Sequence, residues 1–391
     1  MIIILPKDVQ FILESLSNAG HLAYIVGGCV RDSIMGITPK DWDIASSAQP
    51  HETKQVFSHT VDTGIKHGTV TAVLRGYNYE ITTFRVDGNY IDGRHPDDVT
   101  FTTDIEEDLS RRDFTMNAIA YSPAEGLVDP FGGLEDIRRG SIRCVGHAPS
   151  RFSEDALRML RAIRFSAQMS FSIEPNTYRA IAPLAERLGL ISIERVREEL
   201  TKILSSPNPG ALKMLKETGL LPQMLNHIDI KQASVWLNKC PSPKEPAMLY
   251  ALLNTKNITR RLKFDNRTIK ECELYIHWLR KDIADDRYSI KTVLNIMGPD
   301  LLGNLLTLKG IYQPEAKAHW EDVRAICKDI LKSGECFCLK DLDIDGQTLI
   351  NAGIPPGKEM GRIISELLNM VMIDPYLNKK ETLIEIACKI S

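Results

Sequence analysis

The sequence predicts an α+β protein, a small mixed β-sheet with helices over residues 1–140 followed by an all-α remainder. Three observations carry that prediction. At 391 residues the chain is too long for a single core, which implies two to four domains. Its first part alternates short β-branched apolar runs with helical stretches. Beyond Ser150 the apolar positions recur at helical spacing with almost no strand signal.

Taken in order, residues 22–26 read as a strand, Gly27-Gly28 as a tight turn, 29–35 as a short helix stopped by Gly36, and 41–45 as a second strand. Residues 69–74 and 79–84 alternate in polarity around Arg75-Gly76-Tyr77-Asn78, a hairpin signal. Residues 85–100 are rich in Gly, Asp and Pro without periodicity and read as a mobile loop. From Ser153, the spacing of Ala156, Leu157, Leu160, Ile163 and Phe165 predicts a helix, with Ser153 as N-cap and Glu154 and Asp155 in its first turn. Breaks at Ser205-Ser206-Pro207-Asn208-Pro209-Gly210, Pro241-Ser242-Pro243 and Gly353-Ile354-Pro355-Pro356-Gly357 divide the helical part. The expected domains are 1–140, 141–205, 206–310 and 311–391.

Lys and Arg (48) nearly balance Asp and Glu (51), so any polyanion must be met by a local patch rather than a generally basic surface. The sequence shows no apolar run of membrane-spanning length and no signal-peptide pattern at its start, and a cytoplasmic location is expected. Eight scattered cysteines without zinc spacing read as reduced thiols.

The densest chemistry lies in Gly27-Gly28-Cys29-Val30-Arg31-Asp32, followed by Asp41-Trp42-Asp43. Carboxylates at i and i+2 of a strand point to one face, and such a pair can hold two Mg²⁺ ions ~3.5–4 Å apart together with substrate phosphates. Glycines at a strand-to-helix turn let backbone N–H groups approach phosphate, and Arg31 follows them on the helix. Glu80 on the second hairpin strand is a candidate third carboxylate, or else a solvated strand residue. Of the consecutive Arg111 and Arg112, one is expected at phosphate and the other paired with Asp113 or nearby acids.

Asp155 and Arg158 are three apart, and Arg158, Arg161 and Arg164 continue a basic stripe. Such a run is commonly a solvated face. Base chemistry supplies a sharper reading. Cytosine and adenine present an amine beside an unprotonated ring nitrogen, whereas uracil and guanine present a carbonyl beside a ring N–H. An Asp acceptor next to an Arg donor fits the first two and leaves polar groups unpaired against the others.

In this order, and with Asp92-Gly93-Arg94-His95-Pro96 and Arg111-Arg112-Asp113-Phe114-Thr115-Met116-Asn117-Ala118, these motifs resemble the class II tRNA nucleotidyltransferases, or CCA-adding enzymes. That family shares its N-terminal half with bacterial poly(A) polymerases. The match spans roughly the first 165 residues. Asp343-Ile344-Asp345-Gly346-Gln347 and Gly353-Ile354-Pro355-Pro356-Gly357-Lys358 are similar to the tail of the short bacterial CCA type.

The resemblance implies a polymerase-β-like nucleotidyltransferase head, then a helical neck, body and tail that grip the acceptor and TΨC arms of tRNA. It places two Mg²⁺ on Asp41 and Asp43, and it places CTP or ATP on Gly28, Arg31, Arg112, Asp155, Arg158, Arg161 and Arg164, with Gly27 beside them. A flexible loop containing Arg85, Asp87, Gly88, Asp92, Gly93 and Arg94 implies competence to add the terminal A. No His-Asp dipeptide occurs, so the phosphohydrolase (HD) domain of longer relatives is not expected. Met116 stands where Ile is usual, and Trp42 is a bulky spacer between the carboxylates.

The expected activity is template-independent addition of C, C and A to a tRNA 3′ end with release of pyrophosphate. Addition of A alone, poly(A) synthesis, transfer to a small metabolite and a silent RNA-binding shell are the alternatives. Pairing as a homodimer is left open.

Overall fold

The computed structural model describes residues 2–88, 99–225, 228–242, 244–255 and 257–391. The chain forms two compact units, Met1–Asn226 and His227–Ser391.

The first unit opens with α1 (Lys7–Asn18), β1 (Ala23–Val26), α2 (Gly28–Ile34), β2 (Ile44–Ser46), α3 (Pro50–Val56), β3 (Thr60–Gly64), β4 (Thr69–Leu74) and β5 (Tyr77–Thr83). It continues through β6 (Arg85–Asp87), β7 (Val99–Phe101), α4 (Ile105–Ser110), β8 (Ala120–Ser122), β9 (Gly126–Val128) and α5 (Gly133–Arg139). The main sheet has the order β3-β4-β5-β2-β1-β8-β9, antiparallel except where β2 runs parallel to β5. β1 is Ala-Tyr-Ile-Val and buried throughout, which suits a central strand. Tyr24, Val26, Ala45, Phe84, Leu109 and Ala120 form the core on which the site rests.

The hairpin signal resolves into a two-residue turn. Arg75 and Gly76 both take positive φ (49° and 85°), the turn whose twist matches that of the flanking strands. Two expectations are corrected here. The strand expected over 41–45 begins only at Ile44, so Asp41 and Asp43 lie in the segment ahead of β2. The stretch expected as a mobile loop over 85–100 is structured at both ends, because Arg85–Asp87 pairs antiparallel with Val99–Phe101.

The unit then becomes helical: β10 (Ser141–Ile142), α6 (Ala148–Glu154), α7 (Leu157–Met169), β11 (Ser172–Ile173), α8 (Pro175–Arg179), α9 (Ile193–Leu204), α10 (Leu212–Glu217) and α11 (Leu221–Met224). Ser153 is not an N-cap. Pro149 starts α6 early, at the position where proline costs no hydrogen bond, and the chain breaks at Asp155, which is extended (φ −140°, ψ 103°). Asp155 itself caps α7, its Oδ1 accepting from the Leu157 N–H at 3.0 Å.

The second unit contains α12 (Ile230–Lys239), α13 (Pro246–Leu252), α14 (Ile258–Arg261), α15 (Asn266–Leu279), α16 (Arg287–Tyr312), α17 (Lys317–Ser333), α18 (Gly346–Asn351), α19 (Lys358–Ile373) and α20 (Lys380–Ile390). α16 bends at Gly298-Pro299. Two buried lysines tie it together: Lys291 meets Glu335 at 2.5 Å and the Met372 carbonyl, and Lys309 donates to the Lys281 carbonyl. All eight cysteines are free thiols. Among the described residues no helix is long and apolar enough to cross a membrane.

Candidate active site

The site grows from the β1–α2 turn. Gly27 holds φ 76° and ψ −127°, a region open essentially to glycine alone, and a Cβ there would stand 2.8 Å from Arg112 Nη1. The turn therefore brings main chain directly against a guanidinium. Its N–H is anchored on the Ile119 carbonyl, and Val26 N–H on the Asp43 carbonyl, which fixes the Asp41-Trp42-Asp43 segment beside the turn.

Neither Asp41 nor Asp43 makes a side-chain hydrogen bond or ion pair among the described residues. Crowding by surrounding protein and the neighbouring Asp41 charge push the Asp43 carboxyl up, with Arg112 opposing them. Both carboxylates open onto a cavity of about 640 Å³. Its walls carry eight basic side chains, Arg31, Arg111, Arg112, Arg158, Arg161, Arg164, Arg195 and Lys202, against four acids, Asp41, Asp43, Asp113 and Asp155. Such an excess focuses positive potential on any polyphosphate that enters.

The arginines are held in place by acids behind them. Asp108, 1% exposed, pairs with both Arg111 (2.8 Å) and Arg112 (3.1 Å); burial alone would raise its carboxyl, but the two guanidiniums hold it below the usual range. Asp113 pairs instead with Arg161 at 2.6 Å and accepts from Asn117 Nδ2, and these partners keep it ionised despite full burial. Of the two expected kinds of partner for Arg111 and Arg112, Asp113 or a nearby acid, the structure shows the nearby acid, Asp108, one helical turn back on α4. Arg31 donates to Asp32 and to Asn117 Oδ1 (2.6 Å), so its tip spans from α2 to the turn after Phe114. Arg112 Nε and Arg195 Nη1 are buried without a hydrogen-bond partner among the described residues.

Asp155 and Arg158 share the cavity wall but do not pair with each other. Asp155 Oδ2 is held by Arg195 at 2.8 Å, while Arg158 donates to Glu154 (2.6 Å) and to the Arg111 carbonyl (3.0 Å). Each carboxylate oxygen has two acceptor sites, so Asp155 can accept a further donor without releasing Arg195 or Leu157. Arg158, Arg161 and Arg164 lie along α7 as expected, and the stripe is not a solvated face: Arg158 and Arg164 are buried, Arg164 paired with Glu199 at 2.5 Å. The Phe165 ring is flanked by the guanidiniums of Arg31, Arg161 and Arg164, 5.2, 5.5 and 3.8 Å from its centroid.

Sequence reasoning missed Phe165 as a site residue, together with Arg195 and Lys202. Both latter residues come from α9, seven residues apart and hence on one face of the helix, a signal legible in the sequence. Glu80 stands opposite Thr71 on the β4–β5 ladder and lines a second cavity that also contains Asp41 and Asp43. Among the described residues no three potential ligands gather closely enough to hold a metal, so Glu80 is not drawn into the carboxylate pair. Of the expected flexible loop, Arg85 is fixed in β6, its N–H donating to Asp108 and its guanidinium to the His67 carbonyl; Asp87 ends β6 and Gly88 follows it. Asp92, Gly93 and Arg94 lie outside the described residues.

The arrangement suits a hard divalent cation. Two unpartnered carboxylates, with like charges close enough to raise Asp43, supply oxygen donors of the kind Mg²⁺ takes, and Mg²⁺ commonly completes its shell with water and substrate phosphate.

Comparison with known proteins agrees along the whole length. Residues 23–143 match the model of the poly A polymerase head domain, 170–231 that of the RNA- and SrmB-binding site of polymerase A, and 247–387 that of tRNA nucleotidyltransferase domain 2. The CCA-adding enzyme of Leuconostoc mesenteroides is 38% identical, over 96% of this chain and 94% of its own. That of Ligilactobacillus salivarius is 37% identical, over 98% and 96%. Among solved structures, the Bacillus stearothermophilus CCA-adding enzyme in complex with CTP superposes with a TM-score of 0.85 at 32% identity, covering 99% of this chain and 98% of that one. The Thermotoga maritima CCA-adding enzyme complexed with tRNA shares the fold, with a TM-score of 0.67 at 22% identity over 99% and 97%.

Proposed function

This chain belongs to the CCA-adding enzymes, a tRNA nucleotidyltransferase family, and from that premise we propose that the cavity on Asp41 and Asp43 adds C, C and A to the 3′ end of tRNA without a template. The observation that carries the reading is the presence of Asp155 and Arg158 on the same cavity as the carboxylate pair, so that base and α-phosphate of one nucleotide can be held together.

In this account Gly27, Gly28, Arg31 and Arg112 receive the triphosphate. Arg161 and Arg164, packed on Phe165, carry the positive field further along the wall. Asp155 accepts the exocyclic amine of cytosine or adenine and Arg158 donates to the ring nitrogen. Uracil and guanine would set a carbonyl against Asp155 and a ring N–H against Arg158, two unpaired polar contacts that disfavour binding. The tRNA 3′-hydroxyl oxygen loses its proton to solvent and bonds to the α-phosphorus, the bond from that phosphorus to the bridging oxygen breaks, and pyrophosphate leaves. Asp41 and Asp43 would hold Mg²⁺, whose chemistry when bound is to acidify the attacking hydroxyl and neutralise the departing pyrophosphate. Glu80, which lines the neighbouring cavity with Asp41 and Asp43, is proposed as a further carboxylate near the pair rather than a ligand within it.

At a finer grain than two compact units we assign a head (1–140), neck (141–205), body (206–310) and tail (311–391), with residues of the last two meeting the acceptor and TΨC arms. The proposed location is cytoplasmic.

The test supplies protein and Mg²⁺ with tRNA transcripts ending at the discriminator base, in C and in CC, with CTP, ATP or both. Addition of two C and then one A to the shortest transcript is expected. Extension of the CC-ending transcript alone, by ATP alone, would make this an A-adding enzyme, and a poly(A) ladder a polymerase. No extension at all would leave a silent RNA-binding relative.

A further inference from the structure

Three guanidiniums converge on one side chain of the arginine-lined cavity. Arg164, Arg31 and Arg161 stand 3.8, 5.2 and 5.5 Å from the centroid of the Phe165 ring. The ring lines the cavity, is buried, and meets Phe114 edge to face with centroids 5.8 Å apart. Arg161 and Phe165 are four apart on α7 and share a face, while Arg31 arrives from α2. Each guanidinium also has an acid of its own: Asp32 for Arg31 at 2.6 Å, Asp113 for Arg161 at 2.6 Å and Glu199 for Arg164 at 2.5 Å. Burial pushes the Arg164 guanidinium down, Glu199 opposes the fall, and the neighbouring Arg161 charge adds to it.

We propose that Phe165 is a positioning residue for the triphosphate: its ring gathers Arg31, Arg161 and Arg164 through cation–π contacts and thereby sets how strongly the β- and γ-phosphates of the incoming nucleotide are held. The inference rests on the nucleotidyl-transfer reading above. An acid and an aromatic ring hold a guanidinium in different ways. A carboxylate anchors it, but cancels its charge and occupies its N–H donors. The negative face of a ring attracts the cation while carrying no net charge and taking none of those donors. With one acid apiece the three arginines are already balanced, and a further carboxylate brought in to hold them together would repel the polyphosphate they receive. A neutral ring draws them together without that repulsion.

Position 165 belongs to the buried apolar run of α7, where the helix asks only for bulk that Leu or Met would also supply. The guanidinium contacts ask for more. They require an aromatic face, and a buried one, because cation–π attraction is larger where water is excluded. The base readers have other anchors, Arg195 for Asp155, and Glu154 with the Arg111 carbonyl for Arg158. The ring therefore acts on the affinity for the polyphosphate and leaves the choice of base to Asp155 and Arg158.

The test uses the full chain with Phe165 replaced by mono-, di- and trifluorophenylalanine, in which each fluorine drains negative potential from the ring face while the shape changes little. Equilibrium binding of CTP, with Mg²⁺ and without tRNA, should weaken stepwise along the series, by about tenfold at three fluorines. Binding of CMP, which lacks the β- and γ-phosphates, should change little, and the ratio of CTP to UTP affinity should hold. Phe165→Leu should lose at least as much CTP affinity as the trifluoro chain. A flat or rising fluorine series would overturn the proposal and make Phe165 a core residue, whatever Phe165→Leu does. Equal weakening of CTP and CMP, or a CTP to UTP ratio that moves with the series, would overturn it by placing the effect of the ring on the base. The fluorinated side chains keep the native shape, so the series decides the question even where Phe165→Leu misfolds. Binding is read without turnover, so it stands apart from the parent reading, which falls only if the wild-type chain extends no tRNA.

Discussion

Replacing Arg195 by Met removes the charge behind Asp155 and keeps most of the side-chain volume. Arg195 Nη2 lies 2.8 Å from Asp155 Oδ2, with the two side chains 25% and 14% exposed. Exposed ion pairs contribute about 0.2–1 kcal/mol, and stripping one partner from a buried pair costs about 3–5 kcal/mol. This pair lies between those limits, at about 2 kcal/mol. If that loss falls on nucleotide placement, it corresponds to about a 30-fold change in affinity. Among the described residues Asp155 would then keep the Leu157 N–H as its hydrogen-bond donor. The assay is single-nucleotide addition to a transcript lacking its three terminal residues, with CTP and UTP titrated separately. KM for CTP should rise by up to about 30-fold and the preference for CTP over UTP should shrink, because a loosened carboxylate no longer penalises the uracil carbonyl. Arg195→Lys should recover part of both, since an ammonium supplies the charge without the planar fork. A variant that melts earlier but keeps the wild-type CTP to UTP ratio would refute the reasoning and leave Arg195 a purely structural residue.

Gly27→Ala forces a side chain into positive φ, at a cost of about 1–3 kcal/mol, and displaces Arg112 Nη1; CTP affinity measured by equilibrium binding should fall about tenfold or more. Glu335, which burial would raise, is held down at about 2 by Arg287, Lys291 and Ser333. Because its folded value lies below the ordinary 4.5, its contribution is present above 4.5 and disappears as pH falls toward 2. Urea midpoints across that window should drop for the wild type and stay flatter for Glu335→Gln, which should also lose about 2–4 kcal/mol at pH 7 by leaving Lys291 buried without its carboxylate. Lys309 runs in the opposite sense. Burial lowers it from 10.5 to about 8, so unfolding takes up a proton between those values and stability rises with pH across them. Lys309→Met should remove that rise and stabilise the chain at pH 7 by about 1–3 kcal/mol, measured by thermal and urea unfolding.

The parts of the fold legible in the sequence are those set by local rules. The β4–β5 hairpin follows from alternation around a dipeptide able to take positive φ, and α2 from the glycines at its two ends. Where two local signals compete, the expectation shifts by a few residues. Ser153 precedes an apolar helical run, but Pro149 starts a separate helix and leaves Asp155 to cap the next one. Asp41 and Asp43 were legible as a pair, yet β2 starts after them because the ladder to β1 ends at Ile44. Pairings across long separations were not legible. Asp113 sits next to Arg112 in the chain but bonds Arg161 on α7, and Asp155 is held by Arg195 forty residues on. Periodicity says which face of a helix is buried, not which neighbour it meets.

The central claim is that protein side chains, not a template, read the incoming base, and it is tested most directly by the ratio of kcat/KM for CTP and UTP in the wild type and in Asp155→Asn. An Asn amide can turn its NH₂ toward the uracil carbonyl that Asp155 rejects. The account predicts a strong wild-type preference for CTP that falls by about tenfold or more in Asp155→Asn, through both slower CTP and faster UTP addition. An unchanged ratio, with both nucleotides slowed alike, would contradict it and remove Asp155 from base recognition.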